Sequence, residues 1–161
     1  MALVANLCAA LFLATLVYVS LRDVIALKIS NTSVGVALLF ALGWYGATGT
    51  FEWAALWMAA LFFAIGFGLW IAGVYGGGDA KFMAVVGLMA GSSQVALTLT
   101  AMALACIAML LAFAAVRTLS LAQVSLPHFA LKYAAERKLP FGVPLSVAAA
   151  AALLARMGVI A

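Results

Sequence analysis

From Trp53 to Gly78 the chain runs without a single Asp, Glu, Lys, Arg or His, and it does so again from Phe82 to Val116. A third such run, Met1 to Leu21, opens the sequence. Roughly 20 mainly apolar residues are enough for a helix to cross the hydrocarbon of a bilayer. Inside that hydrocarbon every backbone polar group must find its partner within the protein, which leaves the helix as the natural solution for such runs. The remaining residues do not offer a soluble alternative. The chain of 161 residues is 70% hydrophobic and 7% charged, with a mean hydropathy of +1.31. That is too little polar surface to coat a water-soluble core. The expected fold class is therefore all-α, a polytopic membrane protein with about six transmembrane helices, with residues 1–161 forming one transmembrane domain.

By length, span 1 covers about Ala2 to Leu21, span 2 about Val34 to Ala47 and span 3 Glu52 to about Gly73. Span 4 is the short stretch "AKFMAVVGLMAG", span 5 follows "SSQ" and ends near Val116, and span 6 covers about Phe141 to Ile160. Spans 2 and 4 are short for a bilayer, which calls for tilt, flanking residues or local thinning. Four clear spans plus one long hairpin is the competing count. The first span has no basic n-region and no clear cleavage site, so it reads as retained and not as a signal.

Basic residues then orient the spans. Loop 1 holds Arg22 and Lys28, loop 3 holds Lys81, and loop 5 holds Arg117, Lys132, Arg137 and Lys138; loops 2 and 4 hold none. Odd-numbered loops are expected in the cytoplasm and both termini outside. A face this basic suits anionic lipid; nothing in it points to nucleic acid.

Only four acids occur in the chain. Glu52 and Glu136 read as solvated polar residues. Asp23 and Asp79 are placed by the span count in loops 1 and 3, at one membrane face, each beside the end of a span. Taken singly, Asp79 reads as an N-cap and Asp23 as a polar span end. Taken together they suggest chemistry, because acids at a membrane edge are costly unless partnered or functional. If spans 1 and 4 pack together, two close carboxyls share one proton. One member can then take a proton from water while the other polarises a carbonyl and protonates the leaving amine. The glycines Gly76, Gly77 and Gly78 before Asp79 would let a substrate backbone approach, and would give a loop conformations closed to other residues. Lys81 is either an electrostatic or substrate-placing residue or a marker of sidedness. Asn31 either braces loop 1 or caps span 2.

No metal or cofactor is expected. Cys8 and Cys106 are far apart, form no CxxC pair and read as small buried hydrophobes. His128 is the only histidine and has no acid near it in sequence. The stretch Phe129 to Lys138 is weakly amphipathic and suits a headgroup surface.

Three segments resemble one family. Gly76-Gly77-Gly78-Asp79-Ala80-Lys81 fits the GxGDxK pattern of the type IV prepilin peptidases, membrane aspartic proteases of the GxGD class. Asp23 to Asn31, "DVIALKISN", is similar to their other signature, an aspartate followed at fixed distance by Ile-Pro-Asn, with Ser30 here in place of the proline. Leu139 to Pro144, "LPFGVP", resembles their late PFG segment. The resemblance covers nearly the whole chain. It implies a bacterial inner-membrane enzyme, with Asp23 and Asp79 catalytic, cleaving the short basic leader of prepilins at the cytoplasmic face. The long members' N-terminal insertion with paired cysteines is absent from the sequence. The short peptidases of Tad/Flp pilus systems, without methyltransferase activity, are therefore the nearest resemblance. A small transporter or a non-catalytic subunit of a secretion system is the alternative, since buried acids and glycine-broken helices also mark ion pathways.

Overall fold

A computed structural model describes residues 1–121 and 140–160. Six helices and no strand occur among them: α1 (Ala2–Ala26), α2 (Asn31–Thr48), α3 (Trp53–Ile71), α4 (Gly77–Ala90), α5 (Val95–Leu121) and α6 (Gly142–Arg156). The all-α, polytopic expectation is met. Within these helices, Ala2–Ala26, Trp53–Ile71 and Val95–Thr118 are each long and apolar enough to cross a membrane. His128, Glu136 and the stretch Phe129 to Lys138 lie outside the described residues.

The shortest helix sits in the middle. α4 has 14 residues, about 21 Å of helix at 1.5 Å per residue, less than the roughly 30 Å of hydrocarbon. Its length is tolerable because it is enclosed by protein: α2, α3 and α6 all pack on it. From Phe82 to Ala90 every α4 residue but Ala84 is buried. Irregular backbone beyond a short helix is allowed at membrane depth where protein surrounds it. The α3–α4 contact is close because of glycine. A Cβ on Gly87 would run into the Met58 carbonyl, and one on Gly66 would lie 3.0 Å from the Ala80 backbone. Small residues let membrane helices approach when apolar burial alone cannot drive them together.

α3 and α5 take the opposite role. They turn Leu61, Phe63, Ile65, Leu104, Ile107 and Leu111 outward, an apolar exterior suited to lipid and unsuited to water. Cys8 and Cys106 are free and only half-buried, so the expectation that both are buried is corrected. Each lies on an outer helix, where one side of the residue faces outward.

Helix ends revise the sequence boundaries where it matters. α1 continues five residues beyond the expected Leu21, so Asp23 is in a helical turn and not in a loop. It stops at Leu27, which adopts a left-handed φ of 51° and returns its N–H to the Asp23 carbonyl at 2.8 Å. α3 closes with a Schellman turn, Gly73 (φ 75°) bonding Trp70 O and Val74 bonding Leu69 O. Gly77 and Gly78 begin α4. The left-handed glycine near the site is therefore Gly73. Gly76, Gly77 and Gly78 all have ordinary negative φ, so their expected conformational freedom is not used.

Candidate active site

Asp23 lies one turn from the end of α1 and is 3% exposed. Its Oδ2 accepts the N–H of Gly142 at 2.6 Å. Gly142 is the first residue of α6, whose N–H groups have no partner within their own helix. An anionic carboxylate suits that position electrostatically. Gly142 must lack a side chain, since a Cβ there would lie 2.9 Å from Asp23 Cβ and Oδ2. The glycine of the PFG segment is thus explained by its closeness to the first aspartate.

Asp79 is held in a parallel way. It occupies the third position of α4, after an N-cap at Gly76, and its Oδ2 accepts the Gly76 N–H at 2.9 Å. The simple N-cap reading is corrected by three positions: Asp79 bonds back to the cap residue's own N–H, the acidic half of a capping box. Burial pushes its carboxyl up from the ordinary value, and the Gly76 N–H pulls it down less strongly. Each aspartate therefore has one oxygen held by a glycine N–H. Among the described residues neither has a Lys or Arg partner, and neither has a second hydrogen bond.

The two acids come together without direct helix packing. α1 and α4 share no extended contact; α2 and α6 pack against both and bridge them. The expected packing of span 1 on span 4 is corrected accordingly. Local stitches close the gap. The ring of Tyr75, next to Gly76, packs on Phe141, next to Gly142, at 4.6 Å between centroids.

Gly78, Asn31 and Lys81 tie the first turn of α4 to loop 1. A Cβ on Gly78 would collide with the Ile29 carbonyl. The close approach expected for this glycine is thus made by the protein's own backbone. Lys81 Nζ donates to Asn31 Oδ1 at 2.9 Å. Asn31 is not the cap of α2: Ser30 is, its Oγ accepting the Ser33 N–H at 3.1 Å. Ser30, where the resembled signature has proline, thus supplies a side-chain cap that proline cannot.

These residues enclose an open pocket of about 620 Å³ lined by Leu27 to Thr32, Gly76 to Asp79 and Lys81. Asp79 opens onto it, whereas Asp23 is not part of its lining. Among the described residues no group of three His, Cys, Asp or Glu side chains gathers anywhere.

Sequence reasoning missed Gly142, Tyr75 and Phe141 as parts of this site. The PFG segment was the available signal, but its distance from Asp23 in sequence hid the contact. Glu52 was also misread. At the opposite end its Oε1 pairs with Arg156 Nη1 at 3.2 Å, and its Oε2 accepts from Ser92 at 3.2 Å.

The fold and site define a polytopic helical membrane protein with two glycine-held carboxyls beside a pocket at one end of the bundle. The Peptidase_A24 family model, described as the type IV leader peptidase family, matches residues 10–114, and the chain belongs to that family. It is thus a multi-pass membrane protease of the leader-peptidase type. The match takes in both aspartates, Asn31 and Lys81 but stops before α6, so the Asp23–Gly142 bond is known from the structure alone. No curated protein and no solved structure matches the chain.

Proposed function

We propose that Asp23 and Asp79 are the acid pair of an aspartic endopeptidase that removes the short basic leader from prepilins. The observation that carries this reading is the parallel anchoring of the two acids. Each gives one oxygen to a glycine N–H, and among the described residues the other has no partner. Two carboxyls that influence one another share a proton and titrate as a unit. The ionised member draws a proton from water as that water attacks the scissile carbonyl. The protonated member donates to the carbonyl oxygen and then to the departing amine. The opening of Asp79 onto the pocket, with burial raising its carboxyl, supports assigning it to meet the carbonyl. The Gly142 N–H stabilises negative charge on Asp23.

The finer assignments follow from the same reading. Lys28 and Lys81 line the pocket, and by the positive-inside rule its end of the bundle faces the cytoplasm of a bacterial inner membrane. Residues 1–161 act as a single peptidase domain on Flp-type prepilins, without methyltransferase activity, with Gly76, Gly77 and Gly78 shaping the pocket and Lys81 and Asn31 bracing it. The test is co-expression with a candidate prepilin, followed by electrophoresis. A leader-sized shift is expected with the unmodified chain and none with Asp23→Asn or Asp79→Asn. Cleavage by either variant at the unmodified rate removes the acid pair.

A further inference from the structure

The site pocket does not end at the polar residues around Asp79. Ser30 and Thr32 line it and also line a second cavity of about 370 Å³, a groove between α1 and α2. The walls of that groove are mainly apolar, with Leu11, Tyr18, Val36 and Phe40 the large contributors. On α1 it runs from Tyr18 to Leu11, about 10 Å or two helical turns. Its buried hydroxyls have partners: Thr15 donates to the Leu11 carbonyl at 2.8 Å, and Ser33 and Ser30 bond each other at 2.8 Å. The hydroxyls of Tyr18 and Thr32 are on exposed residues at its rim, so an apolar occupant of its floor adds little polar cost.

A second groove, between α1 and α6, is a useful contrast. It measures about 260 Å³, is bounded by Val17, Ser146 and Val147 among others, and shares no lining residue with the pocket at Asp79. Of these two grooves, the α1–α2 groove is the one that shares lining residues with the pocket at Asp79.

We propose that the α1–α2 groove is the subsite for the first apolar turns of the substrate, immediately beyond the cleaved bond. This rests on the peptidase reading above and adds to it where specificity resides. A chain whose bond lies against Asp79 leaves the pocket past Ser30 and Thr32. There the first-turn N–H groups of α2 can meet the carbonyls of an extended segment. The chain then enters lipid-facing apolar surface at the point where its own sequence turns apolar. Burying that segment in the groove favours substrates with a hydrophobic helix following the leader.

The experiment uses the full-length protein in liposomes and two substrates. One is a basic leader joined to a leucine-rich apolar helix; the other is the same leader cut off shortly after the scissile bond. Ala14, exposed on the groove wall of α1, is changed to Phe to fill the groove. Ala14→Phe is expected to raise KM for the long substrate about tenfold, with kcat within about twofold, and to erase the preference for long over short. Val147→Phe, in the α1–α6 groove, is expected to leave the KM for the long substrate unchanged. A photocrosslinker on Val36→Cys is expected to capture the helix of the long substrate. An unshifted KM in Ala14→Phe, an equal rise in Val147→Phe, or capture of lipid alone overturns the subsite while the peptidase reading stands. Failure of the unmodified chain to cleave either substrate overturns the peptidase reading, and the subsite with it.

Discussion

At one end of the bundle Glu52 is matched by a full cation. Arg156, its side chain 6% exposed against 38% for Glu52, pairs with that acid. It also donates to the Met89 carbonyl at 2.8 Å and the Ala90 carbonyl at 3.2 Å, and lies 5.3 Å from the centre of the Tyr45 ring. It thereby ties the C-terminal ends of α4 and α6 to the start of α3 and the buried end of α2. At the other end, among the described residues, Asp23 and Asp79 each have a single glycine N–H. Within the described residues one acid is thus paired with a cation and two are not. A carboxyl that burial raises, as it does Asp79, is better suited to trade protons than one on an ordinary surface. The Arg156 end reads as a fastening and the aspartate end as a place for proton transfer.

The strongest way to break that contrast is to exchange each aspartate for asparagine. Asn keeps the size and an acceptor oxygen but not the titrating proton. Asp23→Asn and Asp79→Asn are each expected to lower prepilin cleavage by about a thousandfold or more, with the double variant no worse. A gel-shift time course at matched expression measures this. Stability should move the other way for Asp79. A carboxyl raised by burial disfavours folding once ionised. That cost is absent at pH well below the ordinary aspartate value and complete above the raised one. At neutral pH, Asp79→Asn is expected to melt at the same temperature as the unmodified protein or higher. A marked drop would give Asp79 a structural role like that of Glu52.

Next in size is Gly78→Val. Its side chain would displace the Ile29 carbonyl and with it loop 1. Cleavage is expected to fall about a hundredfold, since small misplacements of reacting groups are this costly. Gly46→Ala, which meets open space in α2, should cleave normally. Equal loss in both would remove the special status of the glycines before Asp79.

Arg156→Ala should act on stability instead. It removes the guanidinium from Glu52, which keeps the Ser92 hydroxyl, and from the Met89 and Ala90 carbonyls, at a cost of about 2 kcal/mol. Thermal unfolding in detergent should show the drop, while cleavage per folded molecule stays within about twofold. Loss of activity without loss of stability would dissolve the distinction between the two ends. The smallest effect is expected of Lys81→Met, which removes an exposed hydrogen bond to Asn31 worth about 0.5–1 kcal/mol. Cleavage should change by no more than about fivefold.

Helices and their approximate limits were legible in the sequence because a bilayer demands long apolar runs. The charge-free stretch from Trp53 to Gly78 admits almost nothing but a membrane helix after Glu52. The end that collects Lys28, Lys81, Asp23 and Asp79 was also legible, since alternation of spans assigns each loop to a side. The two aspartates could be singled out because so few acids occur in the chain.

What only the tertiary structure decided is how each acid is held. Nothing local to Asp23 points to Gly142, which lies far along the chain; that N–H arrives only when α6 packs on α1. The pairing of Glu52 with Arg156 was hidden for the same reason, and each side chain alone resembled an ordinary polar residue at a membrane surface. The three glycines show the limit most clearly. Their composition announced a constraint, but it did not distinguish freedom of φ from want of space. Folding resolved it as want of space, because the carbonyl of Ile29 lies where a Gly78 side chain would be. Hydropathy is additive along a chain and can be read from it; a partner across the fold is a coincidence of packing, and no residue carries it alone.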